Sequence, residues 1–538
     1  MLTQAARERI IRRVMSFSSF TAAAASPALR AGRLLLIALA ALALLTLGRL
    51  PLVDEDEGEY SEVAAEMARS SDALAPALNG QPFYEKPALL FWLVAPLLRV
   101  APGSTALARL PSSLASVLCL YLLYAWWRRR AGPNEAQRAA WLAATGLGMA
   151  VVGRAATMDA LIILALTLTL LCVWEWLETG QARALRWAAL AAGLGLLAKG
   201  PVALVIPGAV AVAFMLLTPA YGSRWRGLFD PPAWLILLGV GLPWYVWYGI
   251  ESHGAFLSYF LWRENVGRLG GSLQGHGGGY AYYLGVLPLL FLPHSGALPS
   301  VARRLRVIWA TPVERFLLLW FLLVLLIFTL AGTKLPHYLL YGFPPLFLLV
   351  ARHASFSPRL AAWVGLVLPV VGAALPALAQ RLSQQQGNPY LQEMLARGPE
   401  VFDLGYTLRA GLWLGLSVLL LLLAYGMRRE SAREMRALIL PGLLSVIGVS
   451  QVLLPAVTGL QQDPVRAAAR FAASLHEPVV SDNRMPSFSF YLGQATRMRP
   501  VQAGDLAFGR LDHPDRLGRR HEVLFAQGGL RVVRVVEP

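Results

Sequence analysis

Long apolar runs separated by short polar stretches set the pattern of this chain. Runs of about 18–22 residues recur along most of its length, each long enough to cross a bilayer core of about 30 Å as a helix. They predict thirteen spans, at 33–50, 107–127, 138–156, 159–177, 185–198, 201–219, 232–250, 280–299, 313–331, 337–351, 359–379, 408–427 and 437–457. An odd number of spans puts the two chain ends on opposite sides of the membrane. After 457 the apolar runs stop, and Val479-Val480-Ser481, Phe488-Ser489-Phe490-Tyr491 and Leu530–Val536 read as short strands, with a helix near 464–475.

The arginines test this alternation. Arg12/Arg13, Arg128/Arg129/Arg130, Arg183/Arg187, Arg224/Arg226, Arg303/Arg304/Arg306, Arg352/Arg359 and Arg428/Arg429/Arg433 all fall in loops on the N-terminal side, which is therefore expected to be cytoplasmic. The opposite face then holds a first loop of about 51–106, a second of about 251–279 rich in Gly and aromatics, a third at 380–407, and the tail. Three parts follow: a cytoplasmic segment 1–32, a membrane domain 33–457 and a small extracytoplasmic α/β domain 458–538. The Ala-rich part of the N-terminal segment precedes the first apolar run, unlike a cleaved signal peptide, so the first span is expected to remain as a signal anchor.

Composition agrees with an all-α polytopic membrane protein, with 56% hydrophobic and 15% charged residues. The net charge of +17 is mostly a topology signal, which argues against a nucleic-acid partner. Cys119 and Cys172, the two cysteines, lie inside apolar runs and read as packing residues. No internal repeat suggests the inverted halves of many transporters.

The unusual chemistry gathers on the extracytoplasmic face. Asp54-Glu55-Asp56-Glu57-Gly58-Glu59 follows the first span directly, and five carboxylates at a membrane boundary lack an obvious structural reason. Asp56 with Glu59 matches a capping box, which leaves Asp54, Glu55 and Glu57 unexplained. The run Tyr60–Arg69 is amphipathic at helical spacing and suits a helix lying in the interface. Asp159 opens the fourth span, as a cap, as a partner of Arg154, or as a second carboxylate for general-base chemistry. Lys86, Lys199 and Lys334 stand on the face that the positive-inside bias disfavours. Either they are end residues extending toward the interface, or they hold an anionic ligand, most plainly phosphate. Glu85 and His276, the latter in a Gly-rich loop, form a mixed pair suited to a divalent metal, Zn or Mg/Mn, although two ligands fall short of a structural site. No phosphate-binding Gly-rich loop of nucleotide type stands on the cytoplasmic side. A transporter or lipid flippase would also carry charges at membrane depth, but these lie at one face rather than at the midplane.

In order along the chain, Asp56-Glu57-x-x-Tyr60 with Met67, then Asn79-Gly80-Gln81-Pro82, Glu85-Lys86-Pro87-x-Leu89 and Trp92, resemble the first loop of the GT-C membrane glycosyltransferases. The narrower likeness is to the bacterial aminoarabinose transferase and protein O-mannosyltransferase branch. Arg154…Asp159, Lys199-Gly200-Pro201, Pro243-Trp244-Tyr245, Glu264-Asn265-x-x-Arg268 and Lys334-Leu335-Pro336-x-Tyr338 continue it, over roughly residues 33–350. One departure stands out: Gly58-Glu59 precede Tyr60, where arginine is common in the aminoarabinose branch.

The resemblance implies inverting transfer of a sugar from undecaprenyl phosphate, outside the bacterial inner membrane, to lipid A or another envelope glycolipid, or to protein Ser/Thr. It implies Asp56 as the base or acceptor-orienting carboxylate, supported by Asp159. Lys86, Lys199, Lys334 and Arg268 would hold the donor phosphate. Tyr84, Tyr338 and Tyr341 would line the sugar or lipid groove, unless they are ordinary aromatic-belt residues.

Overall fold

The structure is a computed structural model and describes residues 27–54, 56–70, 72–271, 277–355, 357–426, 431–481 and 485–538. Arg12/Arg13, Glu55, His276 and Arg428/Arg429 lie outside the described residues. Seven described helices are long and apolar enough to span a membrane: Thr105–Arg130, Asp159–Thr179, Pro231–Glu251, Pro312–Leu330, Pro358–Gln385, Leu404–Gly426 and Leu438–Gln461. Val202–Leu217 and Leu89–Val100 are shorter apolar helices. Many of the largest exposed side chains are aliphatic, Leu235 and Leu216 at 72% among them. Such a surface is unfavourable in water and suits lipid. Inside, aromatic rings fill the bundle, with Trp174 5.4 Å from Phe316 and 5.6 Å from Phe214.

Several predicted spans are interrupted. The stretch 280–299 is two helices, Tyr282–Leu290 and Ser295–Ala302, meeting at 115°, with Pro293 in the joint unable to continue a helical ladder. The stretch 138–156 divides at Gly146 into Pro133–Thr145 and Leu147–Val152. Residues Pro336–Gly342 form a tight 3-10 turn before the helix Phe343–His353.

In chain order, α1 is Pro27–Leu45, α2 Asp56–Arg69, α3 Leu89–Val100, α4 Thr105–Arg130, α5 Asp159–Thr179 and α6 Ala182–Lys199. Helix α5 ends at Gly180, whose φ of +75° is the left-handed stop that glycine adopts without strain. With 21 residues it is about 30 Å long. Asp159 stands at one end, while Glu175 and Glu178 at the other pair with Arg130 of α4 at 2.8 and 2.9 Å. Arginine-rich loops and site residues thus occupy opposite ends of one helix.

The first long loop contains α2, a hairpin of β1 (Ala77–Leu78) and β2 (Gln81–Pro82), and α3. Asn79 and Gly80 turn the hairpin at φ +53° and +75°. Helix α2 is buried on more than one face. Glu57, Tyr60, Ser61, Glu62, Val63, Ala64 and Met67 are all buried, because α3 packs on one side and the C-terminal domain covers another.

That domain comprises α7 (Asp463–Ser474), α8 (Pro486–Leu492) and a four-stranded sheet ordered β3-β4-β6-β5. β3 (Val479–Ser481) is parallel to β4 (Leu506–Arg510), and β6 (Leu530–Glu537) runs antiparallel to both β4 and β5 (Arg520–Gln527). Residues 488–491, predicted as a strand, are helical. Pro486 starts α8 at its first turn and Gly493 stops it at φ +78°, so these two residues override the alternating Ser-Phe pattern.

Candidate active site

The acidic run divides by burial. Asp56 opens α2, is exposed, and accepts a hydrogen bond from Tyr60 Oη at 2.9 Å. Glu57 is buried. Its Oε1 accepts from Arg109 Nε at 2.6 Å and Ala156 N at 2.8 Å, and its Oε2 from Arg109 Nη2 at 2.7 Å and Val53 N at 2.9 Å. Asp54 accepts from Ser487 N at 2.9 Å and Gln462 Nε2 at 3.0 Å. A structural reason therefore exists for Asp54 and Glu57: each ties separate segments together, and Asp56 is left facing out.

Asp159 stands in the first turn of α5 and is buried. Its Oδ1 accepts from Lys199 Nζ at 2.5 Å and Tyr341 Oη at 2.8 Å, with His337 Nε2 at 3.8 Å. The pairing with Arg154 considered above does not form; Arg154 Nη1 donates to the Ala150 carbonyl instead. Gly200, at φ +85°, ends α6 and leaves Lys199 at the helix end, where its ammonium reaches Asp159. The same ammonium lies 5.7 Å from the rings of both Tyr338 and Tyr341.

A second charged group joins this one through Tyr338. The segment Ser258–Val266, wound as a π-helix, carries Glu264, and Arg268 follows one turn later. Glu264 Oε2 accepts from Arg268 Nη2 at 2.6 Å and from Lys86 Nζ at 3.3 Å, while Arg268 Nη1 donates to Tyr338 Oη at 3.1 Å. Two cations thus share one carboxylate and remain partly exposed, at 13% and 17% for Lys86 and Arg268. Burial opposes the Lys86 ammonium, yet Glu264 and Glu85 hold its pKa above the ordinary lysine value. The cation persists there across physiological pH.

Beside Lys86 lies a cleft of about 170 Å³, walled by Glu59, Gln81, Phe83, Tyr84, Glu85 and Tyr259 among others. Tyr84 packs its ring 5.7 Å from Tyr248 and 6.4 Å from Tyr259.

Among the predicted site residues, the structure brings together Asp159, Lys199, Tyr338, Tyr341, Arg268 and Lys86, with Asp56 opening the neighbouring helix and Tyr84 and Glu85 in the adjoining cleft. Lys334 does not join this network: its ammonium donates to the carbonyls of Thr329 and Ala331 at 2.7 and 2.8 Å, closing the C-terminal end of the helix Pro312–Leu330. Of the metal pair, only Glu85 is described. Its Oε1 accepts from Tyr259 Oη at 3.4 Å and its Oε2 lies 3.8 Å from Lys86 Nζ. No group of three His, Cys, Asp or Glu side chains gathers among the described residues. The described residues thus do not make up a metal site. Two members of the network, His337 and Glu264, were not singled out from the sequence. His337 stands at the open position of Lys334-Leu335-Pro336-x-Tyr338, and Glu264 opens its motif with the i, i+4 spacing to Arg268 of a helical ion pair.

Comparison with known proteins places this geometry in context. The family described as dolichyl-phosphate-mannose-protein mannosyltransferase matches residues 85–247. An undecaprenyl phosphate-alpha-4-amino-4-deoxy-L-arabinose arabinosyl transferase of Pseudomonas paraeruginosa is 32% identical over 372 residues, covering 67% of this chain and 66% of the relative. Its counterpart in Pseudomonas aeruginosa is 32% identical over 376 residues, with the same coverage. The chain thus spans about two thirds of the length of the curated relatives it matches, 66%. Among solved structures, ArnT from Cupriavidus metallidurans bound to undecaprenyl phosphate superimposes with a TM-score of 0.76 at 19% identity, over 93% of this chain and 97% of that one. The apo state of the same protein gives a TM-score of 0.74.

Proposed function

Because the chain belongs to the polyprenyl-phosphate-sugar-dependent membrane glycosyltransferases of GT-C fold, we propose that it transfers a sugar from undecaprenyl phosphate to lipid A or a related envelope acceptor. The sugar we assign is 4-amino-4-deoxy-L-arabinose, the one named for the relatives. We further propose that transfer takes place at the periplasmic face of the bacterial inner membrane and inverts the anomeric centre.

The observation that carries this reading is the pair Lys86 and Arg268 around Glu264, with Glu85 3.8 Å from Lys86. Both cations stay partly exposed beside the cleft, where the donor phosphate can exchange with these carboxylates as their partner. In the reaction the acceptor oxygen bonds to the anomeric carbon as the bond to the polyprenyl phosphate oxygen breaks. Negative charge then builds on the leaving phosphate, where two partly desolvated cations stabilise it strongly. Asp56, exposed at the start of α2, orients the acceptor. It takes the proton where the acceptor is a hydroxyl, whereas a phosphate acceptor arrives already ionised. Asp159 is neutralised by Lys199 and holds that ammonium and Tyr341 in place.

A second reading, transfer to protein Ser/Thr, is favoured by the description of the family that matches residues 85–247. Mass spectrometry of lipid A from cells with and without the protein separates the two. A sugar-sized mass increase that requires the wild-type chain and disappears with Asp56→Asn is expected. Lipid A of unchanged mass alongside glycosylated membrane protein would replace the first reading with the second.

A further inference from the structure

The acidic run and the C-terminal domain meet at one place. Asp54, two residues before Asp56, accepts hydrogen bonds from the backbone N–H and hydroxyl of Ser487 and from Gln462 Nε2. Ser487 Oγ also lies 3.0 Å from Gln462 Oε1, and both side chains are buried, at 0% and 1% exposure. Gln462 sits between the last long helix, Leu438–Gln461, and α7. The triad therefore joins the end of the bundle, the start of α8 and the residues leading into α2.

Further contacts join the first long loop to the C-terminal domain. Leu52 N donates to Tyr491 Oη at 2.6 Å, and Thr496 N donates to Asn79 Oδ1 at 3.0 Å. Gly58 permits the approach: a Cβ there would lie 2.9 Å from Ser487 Cβ and 2.2 Å from Asp54 Oδ1. Only a residue without a side chain lets α8 rest on the first turn of α2. This explains a glycine inside an otherwise well-formed helix, where it is locally unfavourable.

We propose that the C-terminal domain is a clamp that sets the position of Asp56, with Asp54, Ser487 and Gln462 as positioning residues. First turns of helices fray, since their N–H groups lack partners within the helix. Asp56 stands in such a turn, and a shift of about 1 Å in a reacting group can cost on the order of 100-fold in rate. The clamp removes that freedom without touching substrate. The kinetic part of this inference rests on the function proposed above, whereas its structural part does not.

Two measurements on the full-length protein in nanodiscs test it. The first is hydrogen exchange of the amides of residues 56–62, which needs no substrate. Asp54→Asn and Ser487→Ala should each speed it at least tenfold while leaving α5 protected. The second is steady-state transfer, where each variant should lower kcat at least tenfold and leave the KM for the lipid-linked donor within twofold. The double variant should be no worse than the poorer single one, because both act through one contact. Unchanged exchange overturns the clamp, and so does a loss of kcat that follows a general fall in thermal stability. If Asp54→Asn does not fold, Gln462→Ala and Tyr491→Phe serve with the same expectations. A wild-type protein inactive on this donor overturns the assigned function, while the exchange data still decide the clamp.

Discussion

Burial sorts the carboxylates of the first long loop into different tasks. Glu57 receives four donated hydrogen bonds and is structural, whereas Asp56 faces solvent and is free to meet substrate. Glu62 is a third case. It is buried on α2, and burial pushes its carboxyl from 4.5 up to about 8, even though Arg69 stands 2.6 Å away. Burial outweighs the ion pair because Arg69 is 36% exposed and screened by water, and Glu66 on the next turn adds repulsion. Glu62 Oε2 has no hydrogen-bond partner among the described residues, as suits a protonated acid. The sign follows from linkage. The folded state holds a proton that the unfolded state releases above about 4.5, so this contribution is complete below that pH and is lost as pH rises toward about 8. Thermal unfolding should show stability falling between pH 5 and 8, by at most on the order of 4 kcal/mol. Glu62→Gln should flatten that decline; an equally steep curve in the variant would remove Glu62 as its source. Sequence alone marked Asp56, Asp159, Lys86 and Lys199, because ionisable groups on one face of a membrane are conspicuous, and Arg268 came only through the family motif. It did not show that Lys334 turns back onto helix carbonyls, since that depends on the rotamer and on where the helix ends.

Helix positions matter as much as side chains. Helix α6 delivers Lys199 to Asp159 only because it lies close to its neighbours. A Cβ on Gly195 would come within 2.8 Å of Ala203 Cβ and 3.2 Å of Ala165 Cβ, the small-residue contact by which membrane helices approach. Gly195→Val should therefore cost about 1–3 kcal/mol through overpacking. It should also reduce transfer by drawing Lys199 away from Asp159, measured by thermal unfolding and turnover of the same preparation. Gly208→Ala, with nothing within 4 Å of the new Cβ, is the control and should behave as wild type. Element type was legible where one signal dominated, as in α5 with its long apolar run, or in β6 with its four β-branched valines. It was not legible at 488–491, where Pro486 and Gly493 decided for a helix.

At the scale of the whole molecule, the arginine pattern and the site geometry describe the same orientation. A single cysteine replacing exposed Gln81 should react with a membrane-impermeant thiol reagent on intact spheroplasts. One replacing exposed Ser223 should react only after permeabilisation. Both need a background lacking Cys119 and Cys172. Reversed labelling would invert the topology and move the proposed site to the cytoplasm.

Membrane class and the polar face follow from local facts: runs of apolar residues and the cost of charge near lipid. These depend on composition within some twenty residues, so the chain alone determines them. Partnership is a long-range matter. Glu57 meets Arg109 and Ala156, Glu264 stands between Lys86 and Arg268, and Asp54 reaches Ser487 across 433 positions of sequence. Which acid is buried and which is left facing substrate was decided only when those segments packed together, because burial and hydrogen-bond partners belong to the fold rather than to any stretch of sequence.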